Sequence, residues 1–107
     1  MIKTSELTGA ALDWAVAKCE GIDYGKDDVR FRGAYARKYS TDWAQAGPII
    51  EREKIGLFFD RACGNRWRAN HITAPYQIAQ TPLIAAMRCY CCATLGDEIN
   101  IPEELCP

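Results

Sequence analysis

The first regular pattern along the chain has helical spacing. In LTGAALDWAVAKCEG, at 100° per residue, Ala11, Leu12, Ala15, Val16 and Cys19 share one face. Thr8 stands where an N-cap belongs, Leu7 and Leu12 take the positions of a hydrophobic staple, and Gly21 is a natural stop. Trp14 falls nearly opposite the apolar face, beside Lys18 and Ala10. An indole there needs a cover, from a loop of the same chain, a ligand or a partner. Further on, a period of two takes over. Ile55, Leu57 and Phe59 alternate in KIGLFFD, and Trp67 and Ala69 alternate with Arg66, Arg68 and Asn70 in RWRANH. Gly64-Asn65 between them is a turn signal. The pattern predicts a β-hairpin over about 55–70, joined by a strand at about 29–32 in DVRFR.

Helical spacing returns at the end. Thr81 is the N-cap, Pro82 the first helical residue, and Gly96 the end. Leu83, Ile84, Met87, Tyr90, Cys91 and Leu95 make a face of large residues. Ala85, Ala86, Cys89, Cys92 and Ala93 make a back of small ones, which calls for close approach of the first helix or of a second copy of the chain. Ile99 and Ile101 alternate as a short edge strand before Pro102. The fold class expected is α+β, a small antiparallel sheet packed against an N-terminal and a C-terminal helix. Residues 1–107 make a single domain.

A net charge of -1 exerts no global pull toward nucleic acid or an anionic membrane, so any basic surface must be local. The apolar run from Leu83 to Leu95 carries Arg88 and is too short to span a bilayer. MIKTSELTG has neither the basic start nor the apolar stretch of a secretory signal, so the chain reads as soluble and intracellular. In that setting six cysteines read as reduced thiols. The Cys89-x-x-Cys92 pair lies within a helix, away from the N-terminal dipole that activates redox pairs. Cys19, Cys63, Cys106 and His71 are too scattered to complete a zinc site, and neither a metal nor a cofactor is expected.

The stretch YSTDWAQAGPIIERE, residues 39–53, is the least ordinary. Ser40 or Thr41 can cap a short helical turn, with Asp42 in its first positions and Gly47-Pro48 ending it. Trp43 and Gln45 would then sit on a rigid turn, able to stack on and hydrogen-bond a planar ligand or a peptide. Residues 49–54 fit either an extended segment or a helix. Glu51 and Glu53 could serve acid–base chemistry, though a charged strand edge explains them as well. The pairs Arg30/Arg32 and Arg66/Arg68 each point to one face of a strand; on neighbouring strands they would form a patch for anionic ligands. Arg88, the one charge on an apolar helix, either pairs structurally or lines a pocket as an anion ligand.

Four blocks, LTGAALDWAVAKCEG, STDWAQAGPIIERE, TPLIAAMRCY and LGDEINIPEEL, together resemble the NinX family of small phage proteins, encoded in the nin accessory region of lambdoid phages and in related prophages. The resemblance runs from residue 3 to about 105. It departs from the family pattern at Ala46-Gly47-Pro48, where the family usually reads Gly-Gly-Pro, and in the cysteines of CYCC. It implies an accessory protein acting in the host bacterial cytoplasm, and it carries over no catalytic residue. Trp14, Asp42, Trp43, Gln45, Arg52 and Arg88 are the candidate pocket or interface residues. The function expected is non-enzymatic binding of a small host-derived ligand, nucleotide-like in one version, or of a host protein. A nucleic-acid accessory factor and a small hydrolase using Glu51, Glu53 or His71 are the alternatives. A homodimer through the C-terminal helix is compatible with each.

Overall fold

A computed structural model describes residues 2–21, 38–62 and 64–101. In chain order these form β1 (Ile2–Lys3), a 3-10 turn (Thr4–Glu6), α1 (Gly9–Cys19), α2 (Trp43–Glu53), β2 (Gly56–Asp60), β3 (Arg66–His71), β4 (Ala74–Ala79), α3 (Pro82–Leu95) and β5 (Glu98–Ile99). The class is the expected α+β. β2, β3 and β4 make an antiparallel sheet in that order, and β1 pairs antiparallel with β5. The anticipated hairpin is β2–β3, in the register Phe58 to Arg68 and Asp60 to Arg66. Its turn places Gly64 and Asn65 at positive φ, which suits a glycine and an asparagine. The strand expected at 29–32 lies outside the described residues. The third strand that the sheet shows is β4.

α3 is the hub. It lies across β3 and β4, and α1, α2 and the 3-10 turn pack on its other sides. Ala85, Ala86, Met87, Cys89 and Cys91 are all fully buried. Cys92 is buried as well, so most of the face of small residues is taken up by the chain's own elements. Small side chains there let the neighbouring backbones come close, as packed interiors require. Thr81 caps the helix as expected, accepting from the Ile84 amide at 3.2 Å.

α1 begins less regularly. Thr8 holds the N-cap position but makes no side-chain cap bond, because Gly9 at φ 57° turns the chain left-handed at the first helical residue. Leu7, Leu12, Ala15 and Val16 are all buried, so the apolar face is the one the sequence shows. Trp14 is half-buried against the core, with the Lys18 ammonium 5.2 Å from its ring.

α2 corrects the expectation of a short turn. Its N-cap is Asp42, not Ser40 or Thr41, and the helix runs straight through Gly47-Pro48 to Glu53. A proline inside a helix removes a donor and crowds the carbonyl four residues back. Gly47 has no Cβ to meet the proline ring. Ala44, whose carbonyl loses its partner, is exposed along with Pro48, so water can serve that oxygen. Ala46 is an ordinary helical residue and fully buried. Residues 49–53 are thus helical, with Ile49 buried and Ile50 packed at its margin.

Overpacking the hub tests this arrangement. Ala86→Leu should cost about 1–3 kcal/mol in urea-induced unfolding, and a neutral result would show that α3 does not lie as close to its neighbours as described.

Candidate functional site

The residues of α2 and the loop before it are locked by short-range polar contacts. One Asp42 carboxylate oxygen accepts from the Ala44 amide at 2.9 Å, and the other accepts from the Gln45 side-chain amide at 3.0 Å. The Gln45 carbonyl oxygen in turn accepts from the Lys38 backbone at 3.0 Å. Asp13 of α1 accepts from the Ser40 amide at 2.8 Å, fastening the loop to the first helix. Burial raises the Asp13 pKa, and that hydrogen bond offsets part of the rise. Asp42 and Gln45 are thus engaged in capping. Trp43, between them, is not covered: it is 53% exposed at the first position of the helix.

A second polar cluster closes the other end of α2. Arg52 holds Glu20 in a two-pronged contact, NH1 to Oε1 at 3.2 Å and NH2 to Oε2 at 2.6 Å. It also donates to the Tyr90 hydroxyl at 2.9 Å, and that hydroxyl donates to Glu20. The hydrogen bond from Arg52 holds the Glu20 carboxyl below its ordinary range, while burial and Glu20 raise the Tyr90 pKa. Arg52 also meets Glu53 at 3.1 Å. Glu53 lies against His71 Nε2 at 3.1 Å, and this contact, followed by Arg52, lowers its pKa.

His71 Nδ1 accepts from the Thr73 amide at 3.1 Å, so in the neutral ring the proton sits on Nε2 and is donated to Glu53. Both ring nitrogens are engaged, and the side chain is 7% exposed. The geometry is that of a clasp joining α1, α2, α3 and the β3–β4 turn. It leaves no imidazole lone pair open to a substrate.

The candidate residues fall into separate places. Asp42, Trp43 and Gln45 are together. Arg52 is nine residues along the same helix, about 13 Å down its axis and on the opposite flank of the buried stripe. Arg88 is elsewhere again: Nε donates to the Leu7 carbonyl at 2.7 Å and NH1 to the Ile78 carbonyl at 3.0 Å. Burial lowers its pKa, and its donors tie the N-terminal segment and β4 to α3. Trp14 sits on α1 under Lys18.

Of the arginine patch, Arg30 and Arg32 lie outside the described residues. Arg66 is exposed. Arg68 meets Asp60 at 2.6 Å and lies between the rings of Phe58 and Tyr76, at 5.3 and 4.3 Å. That pairing neutralises its charge on the sheet face away from α3.

Of the described thiols, Cys19 is partly buried and three are core groups. Cys89, Cys91 and Cys92 are buried, and burial pushes Cys89 up to about 11. Among the described residues, no group of three or more His, Cys, Asp or Glu could hold a metal ion. No helix among them is long and apolar enough to cross a membrane.

The clasp partners Glu20 and Tyr90 are absent from the sequence-based site, because they lie 32 and 38 positions from Arg52 and no local spacing signals them. The exposed aromatics Phe58, Phe59 and Tyr76 are also absent from it; strand alternation alone does not reveal which aromatics the described residues leave exposed on either face of the sheet.

This arrangement is a small α+β domain with a helix-hub core and an indole presented on a capped helix. The family model described as Bacteriophage P22, NinX matches residues 3–93. The chain belongs to that family and is a phage accessory protein. No curated protein matches it.

Two measurements follow. Asp42→Ala should lower stability by about 1 kcal/mol in chemical denaturation, and no loss would deny the capping role. Glu20 and Glu53 have depressed folded pKa values. The stability they contribute is present above the unfolded glutamate value of about 4.3 and is lost as pH falls through the lower folded values. Glu20→Gln should therefore unfold with a shallower acid dependence than the parent. Identical acid profiles would contradict the clasp.

Proposed function

We propose that this phage accessory protein works as a binding protein in the host bacterial cytoplasm, contacting a host protein through the Trp43 end of α2. The observation that carries the reading is an indole more than half exposed on the first turn of a helix, between Asp42 and Gln45, whose side chains are both engaged in capping. Holding a large aromatic rigid before contact reduces the entropy lost on binding. Tryptophan is also the side chain most enriched among residues that dominate interfaces.

A protein partner is favoured over a nucleotide-like ligand. The cation that such a ligand would need beside Trp43 was to be Arg88, and its donors go to the Leu7 and Ile78 carbonyls. The nucleic-acid reading is weakened in the same way at Arg68, which is paired with Asp60.

Affinity capture from host lysate, read by mass spectrometry for proteins and metabolites, tests this. The parent chain should retain one host protein. Trp43→Ala should weaken that complex by about 2 kcal/mol or more, roughly 30-fold in Kd, with an unchanged melting temperature. Retention unaffected by the substitution would refute the reading, and so would a bound metabolite in place of a protein.

A further inference from the structure

His71 ends β3, Ala74 begins β4, and Ile72 and Thr73 make the turn between them. The pairing of β3 with β4 is irregular between Ala69 and His71, so this end of the hairpin has less regular ladder to hold it. The His71 ring supplies a tie of its own. Nδ1 lies 3.1 Å from the Thr73 amide and 3.0 Å from the Thr73 hydroxyl, while Nε2 lies 3.1 Å from Glu53. An amide N–H can only donate, so Nδ1 must offer its lone pair; a carboxylate can only accept, so Nε2 must carry the proton. The turn is therefore built for the neutral ring. Ile72, at its tip, is 91% exposed.

We propose that His71 is a proton-operated latch on the β3–β4 turn: the neutral ring holds the Thr73 amide and fixes Ile72 in place, and the imidazolium releases that amide while keeping its hold on Glu53. A proton taken from water onto Nδ1 sets one N–H against another, and the Thr73 amide loses its acceptor. The Thr73 hydroxyl is the partner that can reverse its role, from donor to acceptor, and it gives the new N–H somewhere to go. On the other side the contact becomes a full ion pair with Glu53. The effect of the proton is thus directed at the turn.

The charges around the ring come from several elements. Glu53 of α2 touches it, and Arg52 stands behind Glu53, shared with Glu20 of α1 and Tyr90 of α3. Glu51 and Lys54, the other charges at that end of α2, are exposed. The Cys89 thiol of α3 faces the Ala69 and Pro75 carbonyls. The neighbouring strands bring Gly56, opposite Asn70, and Ala74, opposite His71 itself. Glu53 is thus the charge in contact with the ring, and it favours the imidazolium; the Thr73 amide favours the neutral form.

The chain has one histidine, so its ring titration is read without ambiguity. Nitrogen-15 NMR on the full chain tests the latch. Above the titration the ring should be the Nε2–H tautomer, with a scalar coupling across the N–H···N bond from Thr73 to Nδ1. As pH falls, that coupling should vanish at the ring's own midpoint. The Ile72, Thr73 and Ala74 amide resonances should move with it, and those of Ala86 to Cys91 in α3 should not. Thr73→Ala keeps the amide and removes the hydroxyl. Because a bond from an imidazolium is stronger than one to a neutral ring, the midpoint should move to lower pH, and Thr73→Ser should restore it. An Nδ1–H tautomer, a missing coupling, or turn resonances indifferent to the ring's charge would overturn the proposal. So would a midpoint unmoved by Thr73→Ala, or a ring that takes up its proton only as the whole chain unfolds.

Discussion

The burial of most of α3 is the constraint from which the rest follows. A helix with alanines and cysteines on one face and Leu83, Met87 and Tyr90 on the other leaves little surface suited to water. It must be wrapped, and a chain of this length wraps it with one sheet, two helices and the N-terminal turn. Its single charge fits the same demand. A half-buried guanidinium is favoured where its donors are met, and Arg88 donates to the Leu7 and Ile78 carbonyls, adding to the ties that Thr4 makes to the Gly96 carbonyl and Cys89 to the Pro75 carbonyl.

α2 is held at both ends but differently. Its C-terminal end is closed by Arg52, Glu20, Tyr90, Glu53 and His71, a clasp that spans four parts of the fold. Arg52 is half exposed, so each ion pair is screened. The clasp matters through its number of partners and its fixed geometry. The N-terminal end is ordered instead by Asp42 and Gln45 acting on nearby main chain, with Asp13 holding the loop. Local capping needs no cover from other elements, and for that reason Trp43 can be rigid and exposed together. On the central strand of the sheet, Arg68 between Phe58 and Tyr76 organises the face away from α3.

α1, α3 and the hairpin were legible because their apolar spacing is local and unbroken, and because Gly21, Thr81 and Gly96 punctuate it. β4 was not. Its alternation is inverted, with Gln77 buried and Tyr76 exposed, and Pro75 argues against a strand unless the strand lies at a margin. The length of α2 was hidden by Gly47-Pro48, which reads as a stop unless the glycine's missing Cβ and the exposure of the freed carbonyl are weighed together. The exposed indole was legible from its place ahead of the proline. The roles of Arg52 and Arg88 were not, since their partners lie far away in sequence and only the tertiary fold reveals that their donors are occupied.

Native-state amide hydrogen exchange under increasing denaturant tests the hub most directly. The account requires the amides of α3 from Ala86 to Cys91 to exchange only by global unfolding, as the most protected set in the chain, with the first turn of α2 opening at lower free energy. Exchange of α3 by local opening, ahead of β3 and α1, would contradict it.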